Sequence, residues 1–175
     1  AKADVQKMVQ KMIGVYQKRL EKNDWLTEKT RQQAIVKLNH LGIHVGYPDQ
    51  IAPIFAKLVT VPKAEDGTLF ENTADFIRTI ETENFAKLTQ PVDRNKWEMG
   101  AATVNAYYSP SKNVIVFPAA ILQAPFYSLE QSSSANYGGI GAVIAHEISH
   151  AFDNNGAQFD EYGNMHNWWQ ESDLA

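Results

Sequence analysis

Cysteine is absent from the 175-residue sequence. The absence excludes disulfide bonds, thiolate ligands for a metal ion and a cysteine nucleophile. A reducing compartment is compatible with this composition. Any catalytic or metal-binding role must therefore depend on other side chains.

Long hydrophobic runs and an excess of one charge are also missing. The longest apolar stretches, such as 114–117 and 140–145, are far shorter than the roughly 20 residues that span a bilayer. The chain has 16 Lys and Arg against 20 Asp and Glu, a net charge of −4, and the two signs are interspersed. The sequence therefore predicts no transmembrane helix, no membrane contact from this segment and no nucleic-acid-binding surface.

The chain does contain enough apolar residues, 44% of the total, to bury the core of one domain. It opens at Ala1 with neither a methionine nor a signal-like apolar segment, and it ends in a stretch with a helical pattern. We therefore expect it to be a piece of a longer protein.

Three amphipathic helices are predicted in the first half of the chain. Apolar residues recur at helical spacing over 4–22, and a second helix is predicted from its cap at Thr27 until Gly42. A third is predicted over 73–88, before a proline. The proline-rich stretch 46–66 between the last two predicts loops and short extended pieces.

The second half of the chain changes character. Residues 103–108 and 113–117 are rich in Val, Ile and Tyr, and the polar stretch between them predicts the turn of a β-hairpin. A helix is predicted over 137–152, where proline is absent, and a final helix from Asn167. The predicted fold class is therefore α+β and mainly helical.

The helix predicted over 137–152 carries an HExxH motif, His146-Glu147-Ile148-Ser149-His150. Side chains four residues apart lie on the same helix face, so the two histidines can bind one metal ion, and neutral imidazole is a ligand that Zn²⁺ prefers. Glu147 is then beside the metal, where a carboxylate takes a proton from the zinc-bound water. The motif thus predicts a zinc peptidase. The alternative is that both histidines are ordinary polar residues on a helix face.

A third zinc ligand must come from elsewhere. Metzincins have glycine and histidine at the positions that Asp153 and Gly156 occupy here, so that class is excluded. The simplest remaining source is a glutamate on a later helix, as in thermolysin-type enzymes. The acidic residues Asp153 and Asp160, with Asn155, could suggest a calcium loop, but their spacing matches no EF-hand, and turn formation explains them better.

Several segments of the chain resemble the neprilysin family of zinc endopeptidases. They are residues 104–108, 115–123, 136–141 and 146–156. The resemblance extends over essentially all 175 residues, and it is most specific in the second half. It implies a thermolysin-like (gluzincin) zinc-peptidase half with an edge-strand hairpin and an HExxH helix.

The resemblance also implies that the two halves of the chain have different structural roles. Residues 1–95 would form a helical scaffold of the catalytic unit, and residues 96–175 the hairpin and the active-site helix. The whole chain would be a middle-to-late stretch of a larger peptidase. Its partners would be peptide substrates and the missing remainder of the parent chain. The lack of cysteine favours a cytoplasmic bacterial form, and a membrane-anchored or secreted parent stays open.

Site residues follow from the resemblance by position. His146 and His150 match the family's zinc ligands, and Glu147 matches its catalytic base. Asn105 and Ala106 match an edge strand that pairs with bound peptide, which is physically what β-augmentation requires. On its own, Asn105 could simply end a hairpin strand.

Further positions are implied more loosely. Asp153 matches an acidic family position that we interpret as orienting a histidine or linking to a later segment. As an isolated residue it would only be part of the turn that ends a helix. The positions that match the family's hydrophobic specificity pocket are Ile121, Phe126, Ala142 and Val143. Apolar residues of this kind could equally belong to the core.

The sequence departs from the family in one respect. The family's third ligand is a glutamate in an ExxxD motif several dozen residues after HExxH, and its transition-state histidine is later still. Glu161 and Glu171 cannot replace that glutamate, because Met165 and Ala175 follow where Asp is required. We therefore expect zinc with a third ligand, a Glu, outside this chain.

The predicted parent is a zinc metalloendopeptidase that cleaves small peptides. The 175 residues alone should bind zinc weakly and show no meaningful turnover. One alternative is a non-catalytic peptide-binding or adhesive module that uses the edge strand alone. Another is a thermolysin-like enzyme of a different branch.

Overall fold

The computed structural model describes residues 1–173, and these residues form two compact units. One unit comprises residues 1–48 together with the chain from Arg94 onward, and the other comprises residues 49–93. The division predicted at residue 95 assigns roles to the two halves of the chain, and it stays a prediction.

Two helices open the first unit. Helix α1 is Lys2–Glu21 and α2 is Glu28–Asn39, close to the predicted ranges. The predicted cap is confirmed, because the side chain of Thr27 accepts a hydrogen bond from the backbone N–H of Thr30. The second helix was predicted to continue to Gly42, but it ends earlier because Gly42 begins a strand.

A three-stranded sheet follows. Its strands are β1 (Gly42–Gly46), β2 (Tyr107–Ser109) and β3 (Val114–Pro118), in the order β1-β3-β2. Strand β3 pairs antiparallel with β2, which confirms the hairpin, and parallel with β1. The first predicted hairpin strand was too long, since pairing starts only at Tyr107.

Strand β1 was not predicted at all. Its five residues, GIHVG, are too short to show a period, and its glycines suggest a loop. Gly42 has a reason to be glycine, because a Cβ there would lie 2.5 Å from the side chain of Val114 on β3. The Val114 side chain occupies the space beside Gly42, which favours glycine inside this strand.

The prediction of a single helix over 137–152 is wrong, because the chain forms two helices in this region. Helix α4 is Ser133–Gly138 and α5 is Ile140–Ser149. The break is at Gly139, after which the N–H of Ile140 donates to the carbonyl of Phe126 at 2.7 Å. A tertiary hydrogen bond thus replaces a helical one, which periodicity cannot reveal.

The core of the first unit lies between α1, the sheet and α5. Tyr16 of α1 also donates its hydroxyl to the carbonyl of Ala145 on α5, at 3.0 Å. Completely buried core residues include Val5, Val9, Ile115, Phe117, Ile140, Ile144 and Ile148. The helix with the HExxH motif is therefore supported along its length by α1 and the sheet.

The second unit contains one long helix, α3 (Leu69–Ala86), where 73–88 was predicted. Thr68 caps it by accepting from the N–H of Glu71, and its hydroxyl donates to the Glu71 carboxylate. The proline-rich stretch before it contains loops, as predicted, but its regular pieces are short 3₁₀ turns rather than the extended pieces that were predicted.

The final helix predicted from Asn167 is not present up to Asp173. That stretch holds only a 3₁₀ turn, Glu171–Asp173, and the last two residues lie outside the described range. The Asp173 carboxylate accepts from the N–H and the hydroxyl of Thr27, at 2.6 and 2.8 Å. A contact with the start of α2 therefore anchors this segment.

Among residues 1–173, no helix has both the length and the apolar character that crossing a membrane requires.

The cause of the break between α4 and α5 can be tested by replacing each of two neighbouring glycines with alanine in turn. A Cβ at Gly139 would lie 2.3 Å from the Phe126 carbonyl oxygen, whereas a Cβ at Gly138 would meet nothing within 4 Å. Gly139→Ala should lower the free energy of unfolding by about 1–3 kcal/mol, as overpacking does. Gly138→Ala should leave it unchanged or raise it by up to about 1 kcal/mol. Denaturant unfolding measures both, and equal effects would contradict the tertiary origin of the break.

Candidate active site

The three ionisable side chains of the HExxH motif come from the end of α5 and the residue that follows it. His146 and Glu147 lie in its last turn, and His150 follows as the C-cap residue with φ −61° and ψ −21°, which is still helical. The four-residue spacing of the histidines therefore keeps its helical geometry although the helix ends at Ser149.

The two histidine rings converge. Their Nε2 atoms are 3.0 Å apart, and the ring centroids are 4.5 Å apart. Two imidazole nitrogens bound to one tetrahedral zinc ion would be roughly 3.3 Å apart. The observed separation is close to that value, so this pair of side chains fits one zinc ion.

Asp153 fixes the orientation of His150. One carboxylate oxygen is 2.6 Å from the His150 Nδ1, and the other accepts from the N–H groups of Asn155 and Gly156 at 2.9 and 2.8 Å. Burial alone would raise the pKa of Asp153, but these hydrogen bonds outweigh it and hold the pKa below its ordinary value. An ionised Asp153 favours the proton on Nδ1, which leaves the Nε2 lone pair for a metal.

A third ligand is not found within the described part of the chain. Between residues 1 and 173, no group of three His, Cys, Asp or Glu side chains is arranged to hold a metal ion. The donors present are two imidazoles, which zinc accepts but which form only part of a protein site.

Glu147 is buried beside the histidines, with 6% of its surface exposed. Burial raises the pKa of its carboxyl group, while His150, His146 and the polar backbone of Tyr108 act in the opposite direction. A carboxylate with a raised pKa is a stronger proton acceptor near neutral pH. The arrangement suits a general base.

A cleft of about 400 Å³ brings the motif and the hairpin together. Strand β2 is an edge of the sheet, and its Tyr108 lines the cleft together with Glu147. The lining residues are Asn105, Ala106, Tyr107, Tyr108, Pro110, His146, Glu147, His150, Asp153, Asn155 and Gly156. Most of the predicted site residues therefore share one cleft.

Asn105 and Ala106 precede β2 rather than belonging to it. Asn105 is exposed, and its side-chain oxygen accepts from the N–H of Ala106 at 2.9 Å. Ala106 is buried at the base of this segment. The predicted peptide-binding segment thus borders the cleft as an irregular extension of the edge strand.

The four residues predicted to form a specificity pocket do not line this cleft. Ile121 belongs to the core, and Phe126 and Val143 pack against that core while partly buried. Ala142 is exposed on α5. Their role in specificity stays a prediction.

Sequence reasoning missed two residues near the site. One is Tyr108, which lines the cleft with Glu147. The other is Lys37 on α2, which is completely buried and donates to the carbonyl of Gly156. A signal for Lys37 existed, because it lies three residues after Ala34 and four before Leu41, within the apolar stripe of the helix.

Comparison with known proteins gives consistent matches. Two family models, both described as peptidase family M13, match residues 1–48 and 105–175. The neutral endopeptidase of Lactococcus lactis subsp. lactis (strain IL1403) is 56% identical over 173 residues, which cover 99% of this chain and 27% of that protein. Neprilysin-11 of Caenorhabditis elegans is 38% identical over 176 residues, covering 99% of this chain and 21% of that protein.

Solved structures superpose on the chain as well. The crystal structure of PepO from Lactobacillus rhamnosis HN001 has a TM-score of 0.92 at 44% identity and covers 99% of this chain. The Mycobacterium tuberculosis zinc metalloprotease Zmp1, in complex with an inhibitor, has a TM-score of 0.86 at 42% identity and covers 98%. This chain spans 27% and 25% of those two proteins.

The predicted resemblance is thereby confirmed across nearly all of the chain, although the chain has only about a quarter of its relatives' length. Sequence and structure agree that this chain belongs to peptidase family M13.

Proposed function

We propose that the protein to which this chain belongs is a zinc metalloendopeptidase. The observation that carries the proposal is the convergence of the two histidine Nε2 atoms, 3.0 Å apart, next to a buried glutamate and an edge strand. The relatives named neutral endopeptidase and zinc metalloprotease support it. Within that protein, the chain would form a thermolysin-like (gluzincin) half.

Each of the site residues would have a different role in peptide hydrolysis. A bound zinc ion would polarise the scissile carbonyl and acidify a water molecule. His146 and His150 would hold the ion, and Asp153 would keep His150 in the tautomer that binds it. Glu147 would accept a proton from the attacking water and pass it to the leaving amine.

Substrate binding would use the segment that ends in β2. An extended peptide can pair with the free edge of a sheet through its main chain. Asn105 and Ala106 border the cleft and would bind main-chain groups of such a peptide. The proposed substrates are therefore small peptides held in an extended conformation.

The third zinc ligand would be a glutamate outside this chain. Residues 1–173 supply two imidazoles and no further arranged ligand. The other wall of the substrate cleft would also come from the remainder of the parent chain, which in the relatives is about three times as long as this segment. Completion of the site would therefore require that remainder.

The role of Glu147 is tested by Glu147→Gln in the full-length enzyme. The amide keeps the size of the side chain but cannot accept the proton, so kcat should fall by about 10²–10⁴-fold. Zinc content, measured by elemental analysis, should stay at one ion per chain. Glu130→Gln, the same change at an exposed position, is the matched control.

A fall in kcat of less than tenfold for Glu147→Gln would contradict the general-base role. Peptide binding by the full-length wild-type protein without zinc-dependent turnover would instead favour the non-catalytic peptide-binding module.

Zinc binding by the 175-residue chain is expected to be weak. Two imidazoles without the carboxylate leave the ion poorly held, so dialysis should remove zinc from the chain and leave it in the full-length enzyme. Circular dichroism checks that the isolated chain is folded. One tightly held zinc ion per chain together with peptidase activity would refute this expectation.

The edge-segment proposal predicts a substrate-binding defect for Asn105→Ala. Loss of side-chain hydrogen bonds to the substrate main chain should lower kcat/KM by about 10–100-fold, since each such bond contributes roughly 1–3 kcal/mol once desolvated. Zinc content should not change. Asn39→Ala, at an exposed position at the end of α2, is the control, and equal kcat/KM for the two variants would exclude the role.

A further inference from the structure

Lys37 of α2 is a charged residue in a buried environment. Its surface is completely inaccessible, and its Nζ donates to the carbonyl oxygens of Gly156 and Phe159, at 2.5 and 2.7 Å. Both carbonyls belong to the segment that directly follows the HExxH motif. One side chain therefore binds that segment at two points, three residues apart.

The surroundings of the ammonium group are aromatic and acidic. The ring centroids of Trp168 and Tyr108 are 5.8 and 6.0 Å from Nζ. Burial lowers the pKa of Lys37 to about 8, while the charges of Asp160, Asp153 and Glu161 act to raise it. Among residues 1–173, Lys37 forms no salt bridge, and its direct hydrogen-bond partners are the two backbone carbonyls.

Lys37 is linked to His150 by three consecutive hydrogen bonds. The Gly156 carbonyl accepts from Lys37, and the N–H of the same residue donates to Asp153 at 2.8 Å. The other Asp153 oxygen is 2.6 Å from His150 Nδ1. Through these hydrogen bonds, Lys37 holds Gly156, Gly156 holds the Asp153 carboxylate, and Asp153 holds the His150 ring.

The turn at Gly156 has little freedom to absorb a shift. A Cβ on Gly156 would lie 1.8 Å from the His150 carbonyl oxygen, so the two backbones are in direct contact. The Asn113 amide also joins α2 to the stretch after the turn, because it donates to the carbonyls of Lys37 and Glu161, at 3.2 and 3.0 Å. Displacement of the turn would therefore move Asp153 relative to His150.

We propose that Lys37 is a positioning residue for the metal ligand His150, acting through Gly156 and Asp153. The inference rests on the proposed zinc-peptidase function, since it assigns Lys37 to the support of that site. Burying an ammonium group is costly, and an apolar side chain would remove one hydrogen bond from each carbonyl. The Gly156 carbonyl would keep only the N–H of Phe159, and the Phe159 carbonyl only Nε1 of Trp168, each at 3.0 Å. A merely structural lysine would affect stability alone, whereas a positioning lysine also affects zinc affinity.

The test uses Lys37→Met in the full-length enzyme, which keeps an unbranched side chain only one heavy atom shorter and removes its donors. Zinc affinity, measured by competition with a chelator, should fall by about tenfold, the lower end of the range for groups that orient metal ligands. The control is Lys29→Met, the same change at an exposed position of α2. It should leave zinc affinity within twofold of wild type.

A double-mutant cycle with Asp153→Ala distinguishes the proposed route from general destabilisation. If Lys37 acts through Asp153, Lys37→Met should change zinc affinity by less than threefold once Asp153 is removed. Thermal unfolding of the metal-free variants reports the structural contribution separately. An equal loss of affinity in both backgrounds, or unchanged affinity with reduced stability, would overturn the proposal.

Two further variants keep the proposal testable if Lys37→Met does not fold. Lys37→Arg retains a cation and several donors, so its zinc affinity should be within threefold of wild type. Lys37→Gln retains donors without the charge, and it replaces Lys37→Met in the double-mutant cycle with Asp153→Ala. Failure of the proposed function would look different, because the wild-type enzyme would then neither bind zinc nor hydrolyse peptides. Wild-type zinc binding with no effect at Lys37 would reject the positioning role alone.

Discussion

The burial of one face of α5 is the constraint on which the site depends. Ile140, Ile144 and Ile148 are completely buried at four-residue spacing, so they fix the rotation of the helix about its axis. His146 is two residues after Ile144, which turns it by about 200° and directs it away from the core. Glu147, one residue further, lies at the boundary between the buried and exposed faces. Its burial and its raised pKa follow from the same packing that exposes the histidines.

The sequence pattern correctly predicted those elements whose structure depends on residues close together in the chain. The positions of α1 and α2, the Thr27 cap and the hairpin could be read from the sequence, because each depends on spacing within one segment. The HExxH motif likewise contains its own geometry, since the four-residue spacing alone brings the two rings together. These features required no knowledge of distant contacts.

Features that depend on distant segments were missed. The break at Gly139 exists because the Phe126 carbonyl accepts from Ile140, and β1 exists because β3 offers a parallel partner. The burial of Lys37 depends on carbonyls more than a hundred residues away. A sequence pattern shows that such residues are compatible with a helix or a loop, but it contains no information about the partner that decides between the alternatives.

The site is also a junction between elements that are far apart in sequence. Tyr16 of α1 supports α5 through the Ala145 carbonyl, and α2 supports the turn after α5 through Lys37. The two supports act on opposite sides of His150, one before it in the chain and one after it. Metal affinity depends on how little the ligands must rearrange on binding, because any rearrangement costs part of the binding free energy. The spacing within the motif brings the two imidazoles to a nearly correct separation, and the contacts from α1 and α2 hold the segments before and after His150. A site held in this way before the ion arrives would let a ligand from elsewhere complete it at a smaller cost in rearrangement.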